Sequence, residues 1–282
     1  MDYTSFQEKL KTRWEDGYII SVGLDPVVSK IPDTLKREHS SVFDLIRVFD
    51  RAIIDATADV VCAFKPNSAF YEAEGIEGLK ALKATVDYVH KVYPNIPVIL
   101  DAKRGDIGST SEAYARSVFD ELGADAVTVQ PYLGQTAIQP FLDRKDKGIF
   151  ILARTSNEGA GEFQDMLVGN SNQPLYLHVA NQVANTWNKN QNCGLVVGAT
   201  VPDELKAVRD IVGDMPLLIP GVGVQGGDTA RVIEVSALPH GGIILNSSRG
   251  VIYASPEANF AEAARSSLVA LNNIASATRV KK

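Results

Sequence analysis

The sequence is poor in cysteine: only Cys62 and Cys193 occur among 282 residues, and both lie in apolar, strand-like runs. Two cysteines are too few for the disulfide framework of a small secreted protein. Each is expected to pack as a small buried hydrophobic residue. This cysteine usage is typical of a reducing compartment, so we expect a cytoplasmic protein.

Long apolar runs and an excess of basic charge are also missing. No stretch approaches the roughly 18 apolar residues that a membrane span needs, and the N-terminal MDYTSFQEKLKTRW has no apolar core of the signal-peptide type. Lys and Arg number 28 against 34 Asp and Glu, giving a net charge of -6 and a pI of about 5.3. Because nucleic-acid binding requires a basic face, the sequence predicts neither a nucleic-acid nor a membrane partner.

The four histidines, His39, His90, His178 and His240, are isolated in the sequence. They match no metal-ligand spacing, and we find neither a Ser-His-Asp arrangement nor a Walker-type lysine motif. We therefore expect no metal site, and we look to lysine and aspartate for the chemistry.

What the chain does have is a regular alternation of apolar runs and amphipathic segments. Eight strand-like runs lie at 18–25, 60–67, 97–103, 126–132, 148–155, 194–200, 216–222 and 241–248. Segments with helical spacing of apolar residues lie at 43–57, 78–93, 110–122, 174–187, 202–212, 228–237 and 257–274. Strands that are apolar on both faces favour a parallel sheet covered by helices. The pattern predicts an α/β fold, a (β/α)8 TIM barrel forming a single domain over 1–282, with a doubly wound open sheet as the alternative.

Polar residues recur at the carboxyl ends of the first five runs. They are Asp25, Lys65, Asn67, Asp101, Lys103, Gln130, Thr155 and Ser156. In a barrel these ends converge on one mouth, where the active sites of this fold are built. Each residue alone could be a loop cap, but their repetition over five strands predicts one shared site.

The stretch DAKRGDIGST, at 101–110, directly follows the apolar run PVIL. Side chains alternate along a strand, so we expect Asp101 and Lys103 on one face with Cα atoms roughly 7 Å apart, and Asp106 in the loop beyond. Charges at such a place are costly unless they are paired, and pairing shifts pKa values as proton-transfer chemistry requires. The alternative is a solvated salt-bridge cluster at a sheet edge.

The segment GVGVQGGD, at 221–228, contains G-x-G-x-x-G after the seventh run. We reject a dinucleotide site, because the next run ends in NSS without the acidic residue that holds a ribose hydroxyl. Glycine N–H groups and a helix starting at Asp228 favour a phosphate, and Arg249 can grip it bidentately. The loops after strands 7 and 8 are the usual phosphate site of this barrel; a plain glycine-rich turn is the alternative.

Residues 154–173 make a connection that is long for a βα unit. Loops of this length are usually functional lids or disordered. Its glycines, with Ser156 and Asn157, favour a closing lid that offers hydroxyl or amide donors.

Four motifs in order resemble the orotidine 5′-phosphate decarboxylase family. They are G-L-D at the first run, F-K-P-N at the second, D-x-K-x-x-D-I at the third and G-V-G-x-Q-G-G after the seventh. The RGDIGST form and the long fifth loop resemble the longer-chain bacterial branch of that family. The likeness spans roughly residues 18–250.

This resemblance implies a role for each matching residue. Lys65, Asp101, Lys103 and Asp106 would form an alternating charged array, with Lys103 protonating C6 of the pyrimidine and Asp101 facing the substrate carboxylate. Asp106 would belong to the neighbouring subunit's site, which implies a homodimer. The substrate-binding residues would be Asp25 and Lys65 at the ribose, Ile107 and Thr110 from the partner subunit, Ser156 at the pyrimidine edge, and Gln225 and Arg249 at the phosphate. Many relatives carry proline at the position of Gly108, a loop difference that leaves these residues intact.

The implied reaction is the cofactor-free decarboxylation of orotidine 5′-phosphate to UMP, the last step of de novo UMP synthesis. Two alternatives stay open, the first of them with a variant. One is a Mg²⁺-dependent phosphosugar aldolase of the hexulose-phosphate synthase type, which also carries D-x-K-x-x-D; a variant of it is a Schiff-base aldolase using Lys65 or Lys103. The last is a catalytically silent protein that binds a phosphorylated ligand, although an unused cluster of buried charges would only destabilise its fold.

Overall fold

The computed structural model describes residues 4–170, 172–223 and 228–279. Eight parallel strands form its main sheet: β1 Ile20–Leu24, β2 Ala63–Pro66, β3 Ile99–Arg104, β4 Ala126–Val129, β5 Gly148–Arg154, β6 Cys193–Val197, β7 Leu217–Pro220 and β8 Ile243–Ser247. They are hydrogen-bonded in the order β2-β1-β8-β7-β6-β5-β4-β3. Parallel bridges from Phe64 to Val98 and from Asn67 to Asp101 join β2 to β3 and close the sheet. The predicted (β/α)8 barrel is confirmed, and the open doubly wound sheet is wrong.

Helices alternate with these strands over the part of the chain that is described. They are α1 Phe6–Glu15, α2 Asp33–Glu38, α3 Val42–Thr57, α4 Ser68–Glu72, α5 Gly75–Val92, α6 Gly108–Arg116, α7 Gln135–Leu142, α8 Gly161–Gln164, α9 Leu175–Gln182, α10 Pro202–Val212, α11 Thr229–Ser236, α12 Arg249–Ile252 and α13 Phe260–Arg279. Short 3₁₀ turns lie at Val28–Lys30, Ala58–Val60 and Glu158–Ala160, and π-helical turns extend α6 and α9 at Ser117–Glu121 and Val183–Trp187. Every helix that the spacing predicts is present. The pattern does not predict α7, whose eight residues include Pro140.

The inside of the barrel is a packed apolar core, and α1 closes it at the amino ends of the strands. Side chains from all strands except β1 meet there, and Phe6 and Leu10 of α1 join them. The Phe6 ring lies edge-on to Phe150 at 5.7 Å between centroids. Gly148 makes this contact possible, since a Cβ there would lie 2.4 Å from the Phe6 ring. Because α1 covers the amino ends of the strands, the open mouth is at their carboxyl ends.

The start of β4 is held by a buried cluster that the sequence does not reveal. Asp125 accepts hydrogen bonds from the Lys9 ammonium at 2.8 Å and from the Val98 N–H at 2.8 Å. The His90 imidazole lies 3.0 Å from the same carboxylate. His90 is therefore not isolated in the fold: it helps to fix α5 to the barrel, as Lys9 does for α1.

Both cysteines are free and buried, as expected of small hydrophobes. Burial raises the pKa of Cys193 to about 12 and that of Cys62 still further, which leaves both thiols uncharged at neutral pH. Within the three described ranges, no helix combines the length and the apolar character that crossing a bilayer requires.

Candidate active site

Two lysines and one aspartate meet at the carboxyl ends of β2 and β3. The Lys65 ammonium lies 2.9 Å from Oδ2 of Asp101, and the Lys103 ammonium lies 2.6 Å from Oδ1 of the same carboxylate. The Lys65 side chain is 4% exposed, that of Asp101 13% and that of Lys103 51%. Lys65 is buried and Asp101 is largely so, which excludes the alternative of a solvated salt-bridge cluster at a sheet edge. Burying such charges is costly without a compensating role or partner.

Lys103 reaches Asp101 through a distorted strand end rather than through regular alternation. Its φ is +47°, a left-handed conformation that is uncommon for a residue with a side chain. The register between β3 and β4 shifts between Leu100 and Arg104. Such local strain persists where the surrounding structure enforces it, and it clusters at functional sites.

Thr128, in the middle of β4, supports this distortion. Its hydroxyl oxygen accepts hydrogen bonds from the N–H groups of Ala102 at 3.0 Å and Lys103 at 2.9 Å, and it donates to Oδ1 of Asp101 at 3.0 Å. The sequence does not single out this residue as part of a site. The only signal was one hydroxyl in the apolar strand AVTV, two residues before Gln130.

The charges around Asp101 determine its ionisation. Burial would raise the pKa of its carboxyl group, but attraction to Lys65 and Lys103 and the hydrogen bonds from both ammonium groups outweigh burial and lower the pKa to about 2. Asp101 is therefore an anion at neutral pH and holds both ammonium groups in place.

Asp25, just after β1, brings a second carboxylate to the mouth. It is buried, and among the described residues its Oδ1 has no hydrogen-bond partner. Burial raises the pKa of Asp25, against the attraction of Lys65 and a hydrogen bond from Ser248. Gly23 makes room for this arrangement, because a Cβ there would lie 1.8 Å from the Ser248 hydroxyl. A buried carboxylate oxygen without a partner beside an open cavity suits a hydroxyl donor from a ligand.

Two cavities join at the charged array. One, of about 680 Å³, is bordered by Asp25, Asn67, Gly221, Gly223, Asn246, Ser248 and Arg249. The other, of about 250 Å³, is bordered by Lys103, Thr128, Thr155, Ser156 and Asn157. Lys65, Asp101 and Pro220 border both. One elongated ligand can therefore place one end at Arg249 and the other at Lys103.

The larger of these cavities has the features of an anion site. Arg249 is the first residue of α12, directly after β8. The helix predicted from Asp228 is confirmed, because Asp228 caps α11 and accepts a hydrogen bond from the Arg231 N–H at 3.0 Å. Gln225, predicted at the phosphate, lies outside the described residues. A still larger cavity of about 830 Å³, bordered by Trp14, His240 and Arg279, lies at the opposite end of the barrel, away from the charged array.

The structure does not bring every predicted residue into this site within one chain. Asp106 accepts a hydrogen bond from the adjacent Ile107 N–H at 2.7 Å and borders neither cavity. Ile107 is 67% exposed, and Thr110 is exposed on α6. Asn67, for which the sequence suggested no chemical role, borders the cavity and caps α4 by accepting from the Ala69 N–H at 3.2 Å.

The long connection after β5 is a structured element in its described part. It contains a 3₁₀ turn, α8 and a small antiparallel hairpin that pairs Leu167–Val168 with Gln173–Pro174. Its first residues, Thr155 to Asn157, border the smaller cavity. The connection thus contributes a wall to the site, as the lid interpretation requires.

A (β/α)8 barrel with a Lys-Asp-Lys array at its mouth, beside a cavity bordered by Arg249, has the architecture of an enzyme active site. Across the described ranges, no group of three or more His, Cys, Asp and Glu side chains is placed to hold a metal ion. The chain belongs to the orotidine 5′-phosphate decarboxylase / HUMPS family, whose model matches residues 46–264.

Individual relatives point to the decarboxylase side of this family. The orotidine 5′-phosphate decarboxylase of Janthinobacterium sp. is 49% identical over 263 residues, 93% of this chain and 94% of the relative. That of Herpetosiphon aurantiacus is 51% identical over 246 residues, 87% and 88% of the two chains. Their names confirm the expected enzyme class, a carboxy-lyase.

Solved structures agree with this placement. The OMP decarboxylase of Leishmania donovani superimposes with a TM-score of 0.81 at 34% identity, covering 96% of this chain and 99% of that one. The UMP synthase of the same organism gives a TM-score of 0.82 at 36% identity, and there the match covers 96% of this chain but 57% of the synthase. The match to these barrels therefore extends over nearly the entire chain.

Proposed function

We propose that this protein decarboxylates orotidine 5′-phosphate to UMP and CO2 without a metal or organic cofactor. The observation that carries the proposal is the Lys65–Asp101–Lys103 array at the junction of two cavities, one of which contains Arg249. This arrangement can hold a phosphate at one end of a nucleotide and place a cation at the other. The close decarboxylase relatives favour this substrate over the phosphosugar of a Mg²⁺-dependent aldolase.

Lys103 supplies the central chemistry of the proposal. Loss of CO2 breaks the bond between C6 and the carboxylate and leaves the electron pair on C6, where the ring delocalises it poorly. A fixed ammonium group stabilises such developing charge and then donates its proton to C6. The Asp101 carboxylate, 2.6 Å from the Lys103 ammonium, holds that group charged and in position.

Asp101 has a second effect in this scheme. A permanent anion that faces the substrate carboxylate raises the energy of the bound substrate, and that repulsion is relieved as CO2 departs. The low pKa of Asp101, about 2, keeps this anion present at neutral pH. Lys65, on the other side of Asp101, limits the cost of burying the carboxylate.

The remaining contacts bind the nucleotide. The unpartnered Oδ1 of Asp25 suits a ribose hydroxyl, and Lys65 lies on the same cavity wall. Arg249, with Gln225, would bind the phosphate beside the N-terminus of α11. Ser156, bordering the cavity that holds Lys103, would read the pyrimidine edge. Binding energy from the distant phosphate can then be used to close the site and lower the barrier at C6.

The active unit in this proposal is a homodimer of single-domain chains. Asp106, Ile107 and Thr110 would reach the partner's site, consistent with their position outside both cavities of their own chain. Residues 1–282 form the one barrel domain, and the reaction takes place in the cytoplasm as the final step of UMP synthesis. Nucleic acid and membrane have no part in it, in keeping with the net charge of -6.

The first test follows the ultraviolet absorbance of orotidine 5′-phosphate with purified protein in excess EDTA. We expect loss of the orotate band and stoichiometric UMP, because the proposed chemistry uses side chains alone. Activity that EDTA abolishes and Mg²⁺ restores, with a ketose phosphate as substrate, would instead establish the aldolase.

A further inference from the structure

We infer that Gln164, on α8, is the residue that positions the Thr155–Ser156 turn for pyrimidine recognition. This inference rests on the proposed function and concerns the same site. Gln164 itself does not border the cavity that contains Lys103; it faces a neighbouring, mainly apolar cavity together with Phe163 and Gln182. Its effect on the substrate must therefore pass through the turn that it holds.

Gln164 binds the turn with both ends of its side-chain amide. Its Oε1 accepts a hydrogen bond from the Thr155 N–H at 2.8 Å, and its Nε2 donates to the Thr155 hydroxyl oxygen at 2.8 Å. The Thr155 hydroxyl in turn donates to Oδ1 of Asn157 at 2.6 Å. One glutamine thus fixes both the backbone and the side chain of the residue preceding Ser156.

Arg154 fixes Gln164 in this orientation. Arg154 is 8% exposed, and its guanidinium donates to Oε1 of Gln164 at 3.3 Å, to the Thr155 carbonyl at 3.1 Å and to Asp165 at 3.3 Å. Oε1 therefore receives two N–H donors, so the amide nitrogen is directed at the Thr155 hydroxyl. The buried cation makes this arrangement costly to rearrange, because its own contacts would be lost.

The turn held in this way also packs closely against the end of β6. Gly198, just after β6, faces Ser156 so closely that a Cβ at that glycine would lie 2.6 Å from Cβ of Ser156 and 3.0 Å from its backbone nitrogen. The Arg154 carbonyl also accepts a hydrogen bond from the Gly198 N–H at 2.8 Å. Ser156 therefore packs against Gly198, while Gln164 holds the preceding residue, Thr155; removing Gln164 takes away the second of these restraints on the turn that borders the cavity with Lys103.

The experiment compares ligands that reach this turn with one that does not. In Gln164→Ala we expect the KM for orotidine 5′-phosphate and the inhibition constant of UMP to rise about tenfold, as the loss of hydrogen-bonded support for a recognition group predicts. The inhibition constant of ribose 5-phosphate, which lacks the pyrimidine, should change less than about twofold, because Asp25 and Arg249 lie in the other cavity.

Two further variants separate positioning from general damage. Gln164→Glu should restore part of the UMP affinity, because a carboxylate can still accept from the Thr155 N–H and from Arg154, while the Thr155 hydroxyl must leave Asn157 in order to donate to it. Gln182→Ala, on α9 at the same apolar cavity, is the matched control and should behave as the unmodified protein. If Gln164→Ala fails to fold, Thr155→Val removes the same hydroxyl contact and should show the same selective loss.

Each outcome decides the matter. Suppose that the unmodified protein is active. If Gln164→Ala then binds UMP as tightly as the unmodified protein does, or if its affinities for UMP and for ribose 5-phosphate fall equally, the inference is overturned and the proposed function stands. An unmodified protein that fails to decarboxylate orotidine 5′-phosphate at all would overturn the proposed function, and this inference with it.

Discussion

Lys103 combines a strained backbone with a half-exposed ammonium group that is bound to a buried carboxylate. Its φ of +47° places the ammonium 2.6 Å from Asp101 while half of the side chain faces the open cavity. A lysine that served only stability would not need this conformation, since surface ion pairs form readily on regular strands and helices. The strain is consistent with a lysine directed at a substrate.

Lys103→Ala tests this role directly. We expect nucleotide binding, measured by calorimetry with UMP, to change little, because the ribose and phosphate contacts lie elsewhere. Turnover should fall by at least about a thousandfold, since both the stabilising charge and the proton donor are removed. Lys91→Ala, an exposed lysine on α5, is the control, and near-normal turnover in Lys103→Ala would contradict the mechanism.

Thr128→Val tests whether the strand-end distortion matters for catalysis. The change keeps the shape but leaves the N–H groups of Ala102 and Lys103 without their acceptor, which we expect to cost about 1–3 kcal/mol of stability. We also expect kcat to fall about tenfold or more as Lys103 loses its position. Thr128→Ser, which keeps the hydroxyl, should retain activity; loss of activity in Thr128→Ser with activity kept in Thr128→Val would show that the methyl group, rather than the hydrogen bonds, is what counts.

The helices around β2 are joined by a buried carboxyl group outside the site. Asp50 on α3 accepts hydrogen bonds from the Tyr71 hydroxyl of α4 at 2.8 Å and from the Thr85 hydroxyl of α5 at 2.9 Å. Its Oδ1 has no partner among the described residues, and burial raises the pKa of Asp50 to about 7 despite the two hydrogen bonds. Because α4 directly follows the strand that carries Lys65, this group links the helical layer to the active-site strand.

The raised pKa of Asp50 predicts a pH dependence of stability. The folded protein holds this proton more tightly than the unfolded chain, whose aspartate titrates near 3.8. The contribution of Asp50 is therefore complete below about pH 4 and is lost as the pH rises through about 7, at about 1.4 kcal/mol for each pKa unit. Relative to Asp50→Asn, which does not titrate, the free energy of unfolding of the unmodified protein should fall over that range.

Urea unfolding between pH 4.5 and 7.5 measures this difference. Asp143→Asn, which changes an exposed carboxylate on the surface, is the control for altered net charge. Parallel pH profiles for the unmodified protein and Asp50→Asn would show that Asp50 has no raised pKa in the folded state.

The assembled protein requires more than one barrel if Asp106 completes the partner's site. Lys103→Ala and Asp106→Ala should each be nearly inactive alone. Mixing them should restore about a quarter of the unmodified activity, because half of the randomly paired dimers are mixed and each mixed dimer has one intact site. Refolding the variants together and assaying the mixture makes the measurement, with refolded single variants as controls. Absence of any recovery in mixed dimers would place Asp106 in its own chain's site, whereas near-normal activity of Asp106→Ala alone would place it outside the mechanism.

The chain itself encodes the barrel and the location of its mouth. Apolar runs of strand length, separated by amphipathic segments, specify eight buried strands and their helices, because burial follows the local hydrophobic pattern. Polar residues at strand ends, such as Lys65 and Asp101, mark the mouth because all parallel strands end at the same side of the sheet. The hydrophobic pattern does not fix where each strand ends: β4 ends at Val129, although the strand-like run extends to Tyr132, which is 82% exposed.

Only the tertiary structure decides how the side chains meet. Thr128 and Lys65, which both contact Asp101, lie 27 and 36 residues from it in the sequence. The contact between Asp50 and Tyr71 joins residues that are 21 positions apart. Local patterns specify which residues are buried and where strands and helices alternate. Which side chains meet across neighbouring strands depends on the closure and register of the barrel. For the same reason, the left-handed backbone of Lys103 and the unpartnered oxygen of Asp25 are invisible in the sequence, since both arise from neighbours that the folded barrel brings together.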